Sequence, residues 1–137
     1  MELTFAQLQE AGASHLPGLL GIEVLEAGDG RARARLELRE EHHAPNGFLH
    51  AGTIVAFADT ACGYGCILSL PEGATGFTTI ELKTNFLRSA LEGAIDCEAR
   101  LVHGGRTTQI WDSTVLDPAG RQMALFRCTQ LILRPHV

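Results

Sequence analysis

The sequence predicts an α+β protein in which a curved, antiparallel, six-stranded sheet wraps around one long central helix. Residues 53–70 give the first reason. They are a run of small and apolar residues carrying one charge, Asp59, near the middle. The second reason is the change of period on both sides of that run, where apolar and polar residues alternate as in half-buried strands. The third is a set of turn signals, Gly28-Asp29-Gly30, Gly104-Gly105 and Asp117-Pro118-Ala119-Gly120, that divides the alternating stretches into hairpins. One sheet and one apolar helix bury each other when the sheet curls around the helix.

The elements follow in chain order. Residues 4–13 read as a short helix that Thr4 caps, with Phe5, Leu8 and Ala11 or Gly12 on one face. Pro17 and Gly18 break the chain, so residues 1–18 are an N-terminal helix and connector. Residues 21–27 hold Ile22, Val24 and Leu25 and read as a strand. Residues 31–39 set Ala32, Ala34, Leu36 and Leu38 on one face and Arg31, Arg33, Arg35, Glu37 and Arg39 on the other. Residues 40–49 are a polar loop; its His42 and His43 are expected to be solvated or to stand at a substrate entrance. The central helix follows, and Pro71-Glu72-Gly73 terminates it. Residues 77–87 form a strand with Ile80, Leu82, Thr84 and Phe86 on one face. Strands at 93–103, 106–116 and 121–133 complete the sheet.

At 137 residues the chain is expected to be a single domain spanning 1–137, with 45% hydrophobic and 20% charged residues and a net charge of −5. That balance argues against a general nucleic-acid or anionic-membrane surface. An 18-residue run is borderline for a membrane span, but Asp59, Gly63, Gly65 and the lack of flanking basic residues favour a buried core helix. Met1-Glu2-Leu3-Thr4 has neither the basic region nor the apolar core of a signal peptide. A cytoplasmic location is therefore expected, with Cys62, Cys66, Cys97 and Cys128 as free buried thiols. Their spacing is not that of a zinc site, and no metal is expected.

A lone carboxylate inside an apolar run is costly unless something uses or satisfies it. Burial should raise the pKa of Asp59, which suits base chemistry. At His50-Ala51-Gly52 the helix begins, and its first backbone N–H groups make a partial positive site for an oxyanion. Asp59 lies eight residues beyond Ala51, roughly 12 Å along a helix axis. A reacting carbonyl must sit within about 3 Å of its oxyanion donors, with the base nearby or one water away. One helix cannot present both groups to one carbonyl, so two copies of the chain are expected to share each site. Gly63 and Gly65 each cost a helix roughly 1 kcal/mol against Ala, which points to close approach of the sheet or a ligand. Arg88-Ser89 and Gly105-Arg106 stand at strand ends, where an Arg fork suits phosphate recognition. Neither a nucleotide-hydrolase phosphate loop nor a dinucleotide fingerprint is present.

His50-Ala51-Gly52, Asp59-Thr60-Ala61 and the strand from Thr79 to Leu87 resemble the hotdog-fold acyl-CoA thioesterases of the phenylacetic-acid-degradation type, over about residues 20–134. The resemblance implies hydrolysis of an aryl- or medium-chain acyl-CoA to free acid and CoA. It implies no cofactor, coenzyme A being part of the substrate, and a homodimer that pairs into a homotetramer. Asp59 is then the general base or the nucleophile, and the backbone N–H of Ala51 from the other protomer polarises the thioester carbonyl. Thr79 helps hold the water, and His50 orders the loop. Members often carry Asn or Gln six residues before the motif His. Here Ala44 stands there, so Asn46 and His43 are the nearby polar candidates for binding the carbonyl. Two other readings are a hotdog-fold hydroxyacyl-CoA dehydratase or hydratase, with His50 and Asp59 as its acid–base pair, and a non-catalytic acyl-CoA-binding module.

Overall fold

The computed structural model describes residues 3–136. Its elements are α1 (Phe5–Ala13), α2 (Leu16–Leu20), β1 (Glu23–Gly28), β2 (Arg31–Glu37), a 3-10 turn (Glu40–His42), α3 (Ala51–Ile67), β3 (Gly76–Phe86), β4 (Ala94–Gly104), β5 (Thr108–Leu116) and β6 (Gln122–Leu133). The six strands form one sheet in the order β1-β2-β4-β5-β6-β3, antiparallel at every step. α3 packs on its concave face, where Phe57, Ala58, Ala61, Cys62 and Cys66 are fully buried.

The alternation along β2 holds residue by residue: Ala32, Ala34 and Leu36 face the core and the arginines face outward. Thr4 caps α1 through a capping box with Gln7. The β1–β2 hairpin turns on Asp29 and Gly30, both at positive φ, 55° and 74°. That geometry matches the twist of the flanking strands.

Several details differ from the sequence reading. Pro17 and Gly18 do not simply break the chain. Pro lies in the first turn of α2, where its missing N–H costs nothing. α3 runs from Ala51 to Ile67 rather than 53–70, because His50 caps it and the last apolar residues unwind toward Pro71. β5 starts at Thr108, two residues later than expected. In β3 the pairing jumps between Thr79↔Gln130 and Glu81↔Thr129, a bulge at Ile80. The bulge flips the parity of the strand. Thr79 therefore shares the concave face with Leu82, Thr84 and Phe86, while Ile80 leaves it.

Gly63 and Gly65 of α3 are explained by aromatic rings. A Cβ on Gly65 would lie 2.5 and 2.6 Å from carbons of the Trp111 indole, and one on Gly63 would lie 3.2 Å from the Phe77 ring. Trp111 is locked in place: its Nε1 donates to Gln109 Oε1 at 2.8 Å, and Gln109 Nε2 donates to the Ser69 carbonyl at 2.8 Å. A Gly65→Ala variant is expected to melt lower than wild type. Overpacking costs about 1–3 kcal/mol, against roughly 1 kcal/mol gained in helix propensity. Thermal denaturation followed by circular dichroism reads this directly, and Gly63→Ala is expected to fall closer to neutral.

All four cysteines are free and buried. Burial pushes the Cys66 and Cys97 thiols up to about 12, which leaves them protonated and inert as nucleophiles. Among the described residues no helix is long and apolar enough to cross a membrane, and no cluster of His, Cys, Asp and Glu is arranged to hold a metal ion.

Candidate active site

The site begins with His42, which corrects the reading of it as a solvated loop residue. His42 is fully buried. Its Nδ1 accepts from the Arg39 N–H at 3.0 Å, so Nε2 carries the proton and donates to the Leu20 carbonyl at 2.7 Å. The His42 carbonyl accepts from the His50 N–H at 3.0 Å and from Thr53 Oγ1 at 2.9 Å. One buried imidazole thus ties the end of α2, the loop and the start of α3 together. His43 is tied down as well, with Nε2 donating to the Leu91 carbonyl at 2.9 Å.

Held this way, His50 caps α3. Its Nδ1 accepts from the Gly52 N–H at 2.7 Å, and its carbonyl accepts from the Thr53 N–H at 3.0 Å. Ala51 N–H, between them, has no acceptor among the described residues. His50 therefore leaves one helix-start donor unpaired, on an exposed residue. Asp59 sits in the middle of α3, half-buried, with Thr79 Oγ1 3.4 Å from its Oδ1. Burial raises its pKa above the ordinary carboxylate value, and the Thr79 hydroxyl pulls more weakly the other way. The helix is unbroken between the two groups, so their separation remains roughly 12 Å.

The other expected residues divide. Arg88 and Ser89 join Ala51 around an apolar cleft of about 310 Å³ whose walls include Phe48, Leu49, Ile54 and Phe86. Arg88 Nε donates to the Gln122 carbonyl at 2.9 Å, which leaves the rest of the guanidinium to face outward. Gly105 and Arg106 are at the opposite end of the sheet. There the Gly105 N–H donates to the Thr108 carbonyl at 2.8 Å, and Arg134 donates to the Arg106 carbonyl at 2.9 Å. One chain does not bring the two pairs together. Asn46 is exposed and its Oδ1 accepts from the Phe48 N–H at 3.2 Å, a local turn bond. A larger cleft of about 670 Å³ lies beyond the C-terminal end of α3, around Ile67, Pro71 and Gly73, away from both Asp59 and Ala51.

Against known proteins, the family described as Thioesterase superfamily matches residues 46–124, more than half the chain. The chain belongs to the thioesterase superfamily. A 1,4-dihydroxy-2-naphthoyl-CoA hydrolase of Listeria monocytogenes is 32% identical over 110 residues, covering 80% of this chain and 89% of the relative. The proofreading thioesterase EntH of Klebsiella pneumoniae is 30% identical over 132 residues, covering 96% of each. A mutant of the thioesterase PA1618 from Pseudomonas aeruginosa superposes with a TM-score of 0.88 at 26% identity, over 97% of this chain and 96% of that one. The six-stranded sheet around α3 is the hotdog fold of this superfamily, and the protein is a thioester hydrolase.

Proposed function

We propose that this thioesterase hydrolyses an aryl- or medium-chain acyl-CoA, as the phenylacetic-acid-degradation enzymes it resembles do, at sites shared between two protomers. The observation that carries the reading is the unpaired Ala51 N–H about 12 Å along the helix from the half-buried Asp59 carboxylate. In each site Asp59 of one protomer takes a proton from water. The water oxygen bonds to the thioester carbon, and the carbonyl oxygen becomes an oxyanion held by the N–H of Ala51 of the partner subunit. Collapse breaks the C–S bond. The CoA thiolate takes the proton from Asp59, and free acid leaves. Thr79 orients the water or the carboxylate. Arg88 and Ser89 meet the coenzyme at the mouth of the cleft beside Ala51, while Gly105 and Arg106 reach it from the second protomer. Asn46 keeps a free amide N–H₂ near the loop tip for the carbonyl side of the substrate.

Surface chemistry supports the dimer. β3 is an edge strand in a single chain, and Leu82 and Phe86 on its concave face are 41% and 47% exposed. Open edges and exposed apolar faces are covered in stable proteins. A second copy laid edge to edge would cover both, and the exposed Leu125, Leu131 and Leu133 of β6 give dimers a face on which to pair into a tetramer.

A thiol-release assay over a panel of acyl-CoAs tests the activity. Turnover of arylacetyl, benzoyl-like or medium-chain substrates is expected. No release across the panel, together with enoyl absorbance from 3-hydroxyacyl-CoA, would replace hydrolysis with dehydration. The His50 ring argues against that reaction: its Nδ1 accepts from the Gly52 N–H, so in the neutral imidazole Nε2 carries the proton and has no lone pair with which to take one.

A further inference from the structure

Behind the Asp59–Thr79 pair lies a polar side chain with no assigned task. Gln130 is fully buried on the concave face of β6, directly across from Thr79 in the register of β3. The Thr79 hydroxyl lies 2.7 Å from Gln130 Oε1 and 3.4 Å from Asp59 Oδ1. A hydroxyl has one proton to give. At these distances Gln130 receives it in a strong bond, and Asp59 is left with a marginal one. The Gln130 amide is held in turn by Cys128, whose Sγ accepts from Nε2 at 3.4 Å. The Ile80 bulge is what places Thr79 opposite Gln130 on the concave face.

We infer that Gln130 is a positioning residue that draws the Thr79 hydroxyl proton away from Asp59 and so keeps the Asp59 carboxylate a stronger base. The inference rests on the reading of Asp59 as the base. A carboxylate that accepts a full hydrogen bond is stabilised in its charged form and binds a proton less readily. By taking that bond, Gln130 leaves the carboxylate under-solvated in a half-buried position, where a water bound beside it meets a better proton acceptor. Burial raises the pKa of Asp59, and the Thr79 hydroxyl, 3.4 Å away, lowers it only in part.

Few other groups act on this titration. On α3 the neighbouring titratable group is Cys62, whose thiol is raised well above its usual range by Cys128 of β6 and by burial. On β3, Glu81 and Lys83 pair with Thr129 and Arg127 and so belong to the outer face of the sheet. β5 turns Asp112 outward onto Arg127. In the proposed dimer, the helix start of the partner subunit faces Asp59 equally in every variant below.

The test is a set of pH–rate profiles of kcat/KM for wild type, Gln130→Met, Thr79→Val and the double variant. Gln130→Met removes the competing acceptor and frees Thr79 to donate to Asp59. The acid limb is then expected to move down by about one pH unit, a tenfold loss of proton affinity, with a lower plateau rate. Thr79→Val removes a donor that Asp59 scarcely uses, so its limb is expected to move by less than half as much. In the Thr79→Val background the Gln130→Met change is expected to move nothing further, because the effect passes through the Thr79 hydroxyl. The inference is overturned if Gln130→Met moves the limb upward or not at all, or if the shift persists without the hydroxyl. Should Gln130→Met fold poorly, titration of the Asp59 carboxyl by carbon NMR in wild type and Thr79→Val decides the matter. A large rise on losing the hydroxyl means that Thr79 donates fully to Asp59 and Gln130 withholds nothing. An Asp59→Asn control separates the two ideas. Wild-type activity there removes Asp59 itself, whereas an inactive Asp59→Asn beside an unmoved Gln130→Met profile removes only the role of Gln130.

Discussion

An Asp59→Asn enzyme is expected to fold, assemble and bind acyl-CoA, and to lose about 10²–10⁴-fold in kcat/KM, the range that a positioned general base supplies. Asn matches Asp in shape, so the loss isolates the proton-accepting role. Stability gives a second and independent reading. Burial raises the folded-state pKa of Asp59 above its unfolded value. The stabilisation linked to its bound proton is therefore complete below the unfolded pKa and lost as pH rises through the folded one. At neutral pH the wild type carries a half-buried charge that Asn does not. Asp59→Asn is thus expected to melt at or above the wild-type temperature near pH 7, with the difference vanishing in acid. A variant that kept wild-type turnover would sink the mechanism. One that lost both turnover and fold would make Asp59 a structural carboxylate instead.

The same linkage sets the pH profile. The base works only when ionised, so the wild-type rate is expected to climb through a midpoint above the ordinary carboxylate value of about 3.9, and Asp59→Asn is expected to lose that limb. Cysteine chemistry does not compete, since burial holds Cys66 and Cys97 protonated far above neutral pH.

Which parts of this were legible in the sequence follows from where their causes lie. β2 was legible because its cause is local: every second residue from Ala32 to Leu36 is small or apolar, and each is buried. Asp59 stood out as a candidate because one charge in an apolar run needs a reason. The start of α3 was legible in outline from His50-Ala51-Gly52. That the His50 ring takes the Gly52 N–H and leaves Ala51 free is a fact of rotamer and distance. His42 was missed because two adjacent histidines in a polar loop look alike. What distinguishes them is a carbonyl at Leu20, 22 positions away, that reaches one ring. Gln130 was missed for a similar reason. The role proposed for it depends on the bulge at Ile80, which no Gly or Pro marks and which shows only in the register against β6. The candidate coenzyme residues were chosen by type and strand-end position, and type alone did not reveal that Arg88 and Arg106 lie at opposite ends of one sheet.

The shared site makes the sharpest prediction, and Ala51→Pro is the substitution that isolates it. Ala51 is the first residue of α3, the position where proline is best tolerated in a helix. His50 before it has φ −65° and ψ 131°, the extended region that a residue preceding proline prefers. The Ala51 N–H makes no bond within the chain, so removing it costs the fold no hydrogen bond. What disappears is one donor aimed at a developing oxyanion, expected to lower kcat by about 10²–10³-fold. Asp59→Asn and Ala51→Pro homodimers are then each nearly inactive, for different reasons. After subunit exchange, a mixed dimer joins Asp59 of one chain to Ala51 of the other and rebuilds one of its two sites, while the second carries both lesions. Random mixing in equal amounts makes half the dimers mixed, so recovery of roughly a quarter of wild-type activity is expected. Exchange is checked by native mass spectrometry of differently tagged chains. Full exchange with no recovery would mean that both groups serve one carbonyl from a single chain, which a separation of roughly 12 Å along one unbroken helix forbids. The oxyanion donor would then have to be a group other than Ala51.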